Sequence, residues 1–265
     1  VSGAPAFATV LAALESIAPL RLAAEWDNVG LLLEPKRKRG PVARLLLTVD
    51  LTEAVADEAI AAGADLVVAY HPPIFRGLQR LTAADPRHGA LLALAKAGIA
   101  VYSPHTALDA AAGGIADWLL GGMASPAGLQ AGEPCGEGGF GRVGEPLQPM
   151  SLPQAIRRAK ALCGVRQLQI ARPPRPPARV RRIAVAAGAG SSVLRGIAAD
   201  LWLTGEMSHH DVLAAVASGC TVLLAGHSNT ERGYLRVLRA RLGKLLGRGC
   251  AIMVARRDRD PLAIV

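Results

Sequence analysis

The feature that most constrains this chain is a set of short aliphatic runs, each stopping at an acid or a histidine, with helical patterns between them. LLLTVD closes at Asp50, DLVVAY runs into His71, IAVYSPH ends at His105, ADLWLTGE ends at Glu206 and TVLLAGH ends at His227. Short apolar runs rich in Leu, Val and Ile suit strands buried on both faces. Their alternation with helical periodicity predicts an α/β fold of mainly parallel sheets flanked by helices. Strands are expected at Arg44 to Asp50, Asp65 to Tyr70, Ile99 to Ser103, Arg182 to Ala187, Leu201 to Thr204 and Thr221 to Ala225. Helices are expected at Glu53 to Ala62, Arg87 to Ala97, Gly114 to Leu120, Leu152 to Leu162, Ser208 to Ser218 and Thr230 to Leu246.

The stretch from Gly121 to Gly144, rich in Gly, Pro and small residues, divides the chain into halves of similar content. The expected organisation is an N-terminal lobe over 1–125, a linker with a connecting helix over 126–180, and a C-terminal lobe over 181–265. No internal repeat is legible in the residues themselves.

Composition narrows the class. Of 265 residues, 51% are hydrophobic but only 3% aromatic, so the core must be aliphatic. No apolar stretch reaches the roughly 18 to 20 residues that span a bilayer, and a soluble protein is expected. The opening segment reads as an amphipathic helix rather than a secretory signal, because Glu15 interrupts its apolar run. Cys135, Cys163, Cys220 and Cys250 stand far apart without a CxxC pair, which predicts reduced thiols and no zinc-thiolate site. The net charge of +9 gathers in Lys36 to Arg39, in Arg172 to Arg182 and near the C-terminus. No aromatics interleave with these basic runs, so solvated loops are expected rather than a nucleic-acid face.

The histidines carry the chemistry. Five of the six fall just beyond expected strand ends (His71, His105, His209, His210 and His227), and only His88 lies elsewhere. Open parallel sheets bind ligands outside the carboxyl ends of their strands. A lone histidine there is usually structural, but several at equivalent positions, each close to a carboxylate, point to a metal or catalytic centre. Glu231 lies four residues after His227 on an expected helix, so both can face one ion. Asp109 follows His105 at the same spacing, but Thr-Ala-Leu between them reads as a turn, and a His–Asp hydrogen bond that orients a loop is the alternative to a shared ion. Imidazole and carboxylate donors without thiolate suit zinc, manganese, iron or cobalt. Two ions sharing a carboxylate would bring a bound water to a pKa of about 7, which leads to hydrolysis. Gly188-Ala-Gly-Ser-Ser could cradle a phosphate, but a tight strand-to-helix turn is the plainer reading.

EWDNVGLLLE, YHPPIF, SPHTALDAAAGGIADWL, GEMSHHD and GHSNTERGYL, in this order, resemble the NIF-three-like family from about Phe7 to the C-terminus, with vertebrate members looking nearest. The resemblance implies a two-lobed α/β fold with a dinuclear metal centre in a cleft between the lobes, and homo-oligomers. It places the ligands of two divalent ions at His71, Asp109, His227 and Glu231, with His105, His209 and His210 lining the cleft. His105 and His210 are then the expected proton carriers. Pro72 stands where many bacterial members have a second histidine. The bacterial label, a GTP cyclohydrolase homologue, implies a metal-dependent hydrolase of a small nucleotide-like molecule. Vertebrate members imply instead a partner of transcriptional regulators, found in cytoplasm and nucleus.

Overall fold

Aliphatic residues at alternate and consecutive positions condense into two sheets, described by a computed structural model over residues 3–35, 40–124, 127–130 and 132–263. In chain order the elements are α1 (Phe7–Ile17), β1 (Gly30–Leu33), β2 (Arg44–Thr48), α2 (Glu53–Ala61), β3 (Leu66–Ala69), α3 (Pro86–Ala97), β4 (Ala100–Ser103), α4 (His105–Ala110) and α5 (Ile115–Gly122). There follow β5 (Glu133–Cys135), β6 (Gly141–Gly144), α6 (Leu152–Cys163), β7 (Gln169–Ala171), β8 (Ile183–Ala186), α7 (Ser191–Leu194), β9 (Leu201–Thr204) and α8 (His209–Ala217). The last are β10 (Thr221–Leu224), α9 (Asn229–Arg232), α10 (Tyr234–Leu246) and β11 (Ala251–Val254). The basic run Lys36 to Arg39 lies outside the described residues.

The chain divides into two compact units, one of Val1–Leu108 with Leu235–Val265 and one of Asp109–Tyr234. The first holds a five-stranded sheet in the order β1-β4-β3-β2-β11. Four of its strands run parallel, and β1 alone pairs antiparallel, on β4. Leu46, Val67, Val101, Val55, Leu91 and Leu94 form an aliphatic core between this sheet and helices α2 and α3. Parallel strands connected through helices must bury both faces, which is why these strands carry no alternation.

The second unit holds a six-stranded sheet in the order β5-β6-β8-β9-β10-β7. Its centre, β8-β9-β10, is parallel, while β5, β6 and β7 pair antiparallel at the edges. Residues 126–180 thus contribute β5, β6, α6 and β7 to this unit. Helix α6 begins at a capping box, in which Ser151 and Gln154 satisfy each other's backbone donors. Ala184, Trp202, Val222 and Leu194 centre its core. The indole of Trp202 donates to the carbonyl of Ile197, so the one bulky aromatic buried there has a partner.

The helix expected at Thr230 to Leu246 is registered as α9 and α10. They meet at Gly233, whose own backbone stays helical. A Cβ at Gly233 would lie 2.6 Å from the Trp118 ring, a contact only glycine avoids.

Candidate functional site

Each unit builds its polar constellation at the carboxyl ends of adjacent parallel strands. In the first unit, β2, β3 and β4 lie side by side, and the residues just beyond them are Asp50, His71 and His105. Nδ1 of His71 lies 2.9 Å from Oδ1 of Asp50. A carboxylate only accepts, so the imidazole donates through Nδ1 and keeps Nε2 for another group. The His71 and His105 rings are 5.5 Å apart, and Tyr70 lies 4.9 Å and 5.4 Å from them.

His105 opens α4 with a backbone φ of 24°, a sparsely populated region for a residue with a Cβ. Asp27 holds it there. Its carboxylate accepts from His105 Nδ1 at 2.8 Å, and from the backbone N–H and hydroxyl of Thr106 at 3.1 and 2.5 Å. The Asp27 side chain is fully buried. Burial alone would raise its pKa, but the hydrogen bonds from His105 and Thr106 outweigh it and hold the carboxyl below its ordinary value. Three strand-end imidazoles in the molecule are therefore pinned through Nδ1 by a carboxylate of their own unit: His71, His105 and, below, His227.

In the second unit the residues just beyond β8, β9 and β10 include Gly188, Glu206 and His227, the last one residue further from its strand than the others. Nδ1 of His227 donates to Oε1 of Glu206 at 2.9 Å, and its Nε2 lies 3.4 Å from Oε1 of the buried Glu231. The i,i+4 geometry read from the sequence is thus formed at the entrance of α9. Gly188 has φ +56°, and a Cβ there would come within 2.7 Å of Glu231 Oε1 and 2.8 Å of His227 Nε2. The space facing those two donor atoms exists because residue 188 has no side chain. The backbone N–H of Gly188 donates to the Thr230 hydroxyl, and that of Gly190 to the Glu206 carbonyl. The Gly188 segment is therefore the tight turn, with these two donors already spent rather than offered to a phosphate.

The chain between His105 and Asp109 is helical, so the two are one turn apart on α4. Asp109 is buried, and the end of its helix is met by Arg142, which is itself buried on β6 and donates to the Ala110 carbonyl at 2.9 Å. Such a guanidinium complements the negative end of a helix. His209 and His210 stand apart. They are the first residues of α8, which Ser208 caps. Both are exposed, with rings 5.7 Å apart. Among the described residues, no hydrogen bond or ion pair joins them to His227 or Glu231.

Sequence reasoning named the histidines but gave Asp50 and Glu206 no role, although their strand-end positions were the available signal. Asp27 was missed outright. Its only trace is the DN pair in EWDNVG. All four cysteines are buried and free. Desolvation pushes the Cys135 thiol up to about 11 and the Cys163 and Cys220 thiols up to about 12, so they offer no thiolate ligand near neutrality.

The fold and these motifs have known counterparts. Residues 6–261 match the family model described as Duf34/NIF3 (NGG1p interacting factor 3). The Protein NIF3 homolog of Schizosaccharomyces pombe is 45% identical over 262 residues, covering 94% of each chain. Human NIF3-like protein 1 is 31% identical, covering 97% of this chain and 92% of its own. A Bacillus cereus protein related to NIF3 superposes with a TM-score of 0.84 over the whole of both chains at 20% identity, which speaks for the fold alone. With a model match over nearly its whole length, the chain belongs to the Duf34/NIF3 family.

Proposed function

We propose that the protein binds divalent metal ions through His71, Asp109, His227 and Glu231, and hydrolyses a small nucleotide-like molecule. The observation that carries this reading is the state of the imidazoles. His71 and His227 each spend Nδ1 on a carboxylate, which fixes the tautomer that presents Nε2 as a ligand. The donor set fits the group. His71, His227 and Glu231 offer two imidazoles and a carboxylate, and Gly188 leaves the donor atoms of His227 and Glu231 uncovered. Zinc, manganese, iron and cobalt all suit such donors, and two ions per chain is the expected loading.

Ions bound there would supply Lewis-acid polarisation of the scissile bond and acidify water near neutral pH. The chain's own residues would do the rest. Asp50 and Glu206 orient the ligating rings, and Asp27 holds the His105 ring so that its Nε2 can carry a proton. His210, exposed on α8, is the other candidate proton carrier.

A second reading rests on the family description, which names an NGG1p-interacting factor. Under it the protein partners transcriptional regulators in cytoplasm and nucleus, self-associates, and holds metal only for stability. No helix among the described residues is long and apolar enough to cross a membrane.

Elemental analysis of purified protein beside the double variant His227→Ala, Glu231→Ala is the deciding experiment. About two ions per chain, lost in the variant, support the metal reading and open a substrate screen. One ion per chain would mean that Pro72 has cost a site. Protein that takes up no metal on reconstitution overturns it, and leaves of the second reading the partner role without the stabilising metal.

A further inference from the structure

The first unit carries a cavity of about 890 Å³ whose lining runs from Asp50 and His71 to Phe75, Arg76, Arg87 and Arg259. Its volume lies within the range of small-molecule sites. The charges there are unequal in their engagement. Asp50 is occupied by His71, and Arg87 is gripped by Asp85 through Nε at 3.2 Å and Nη2 at 2.9 Å. Among the described residues, Arg76 and Arg259 have no ion-pair partner, and Glu53 is the remaining acid of the lining.

Arg259 is delivered to the cavity by a fastened tail. Ala255 N–H donates to the Leu47 carbonyl at 2.8 Å, and those of Arg256 and Arg257 donate to the Glu58 carboxylate at 2.9 Å. The buried Asp258 then accepts from the N–H of Val49, the residue immediately after β2, at 2.7 Å. Four successive residues are thus tied to β2 and α2, and the next side chain is the guanidinium on the cavity wall. The opposite requirement, an apolar flat surface, is met by Phe75. It is 43% exposed and pairs with the 57% exposed Trp26 at 5.9 Å, in a chain where aromatics are scarce. Exposed rings of this kind serve as stacking surfaces.

We propose that this cavity binds a phosphate monoester carried on a flat ring system, with Arg76 and Arg259 taking the phosphate and Phe75 taking the ring. Guanidinium groups match phosphate oxygens in charge and in donor geometry. The proposal deepens the metal reading, since His71 belongs to both, but anion capture by the two arginines needs no ion to be measured.

The test is calorimetric titration of the full-length protein with AMP, adenosine and inorganic phosphate. The variants are Arg76→Gln/Arg259→Gln, Phe75→Ala and, as a control, Arg87→Gln, with metal content measured on every preparation. AMP should bind at least about 10-fold more tightly than adenosine. The double arginine variant should remove that difference, while Arg87→Gln leaves it. Phe75→Ala should weaken AMP and spare inorganic phosphate. Equal affinity for AMP in wild type and the double variant, with both folded by circular dichroism, overturns the proposal, as does wild type that fails to prefer AMP to adenosine. Metal-loaded protein with no such preference overturns the cavity and leaves the metal reading standing. AMP capture by metal-free protein supports the cavity whatever the fate of that reading.

Discussion

The carboxylate of Asp27 accepts three hydrogen bonds from two consecutive residues and so holds a strained His105 at the end of β4. Its folded pKa is depressed from an ordinary 3.8, so its contribution is complete above that value and is lost as pH falls through the lower folded one. Asp27→Asn should cost about 1 to 3 kcal/mol at neutral pH and progressively less below pH 3.8, where protonation of the unfolded chain removes the advantage of the folded carboxylate. Urea melts at pH 7 and near pH 3 would check both; equal losses at the two values would mean that the charge does not matter. Gly188→Ala forces φ +56° on a residue with a Cβ and crowds His227 and Glu231. It should cost about 1 kcal/mol or more and lower metal uptake, read by elemental analysis on folded protein. The histidines were legible because each terminates an aliphatic run. Asp27 was not, because it sits in a loop before β1 and meets His105 only through a contact spanning 78 residues.

At the scale of elements, the six buried parallel strands were readable from their aliphatic runs, with ends shifted by one or two residues. The strands that escaped, β1, β5, β6, β7 and β11, are three or four residues long, and all but β11 pair antiparallel or flank such a pair. EPC and QIA carry no periodicity to read, since their partners define them. Strand β11 joins β2 in parallel register, Ala251 opposite Arg44, and the tail beyond it is latched by Asp258. Asp258→Ala should leave Val49 N–H without its buried acceptor, at about 1 to 3 kcal/mol. Hydrogen exchange should then accelerate at Val49, Arg256 and Arg257 before it does in β3. Uniform acceleration across the sheet would show instead that the latch is part of the global fold.

At the scale of the whole molecule, the two units repeat one device. Asp50 pins His71 from the neighbouring parallel strand, and Glu206 pins His227 in the same way, each pair 21 residues apart. The residues around them share no visible pattern, which is why the repeat is illegible until the strands are paired. What repeats is backbone layout, a strand-helix-strand span with an acid at the first strand end and a histidine at the second. Both units also bury neutral thiols. For Cys163 and Cys220 the folded pKa is raised from 9.0 to about 12, so the stability they lend is intact below pH 9 and is lost as pH climbs toward 12. A thiol reagent at pH 8 should therefore label the protein only after denaturant is added, while thermal midpoints should fall steadily above pH 9. Rapid labelling of native protein at pH 8 would contradict their burial.

The order in which the chain is made has a bearing on β11. Residues 109–234 form a continuous unit and can fold while synthesis continues, whereas the first unit needs residues 235–265 to finish. Until then β2 is an open edge, its aliphatic Leu45–Leu47 backbone unpaired on the side that β11 will cover. A nascent chain of this protein is thus open to misassociation at Leu45–Leu47 until β11 covers that edge.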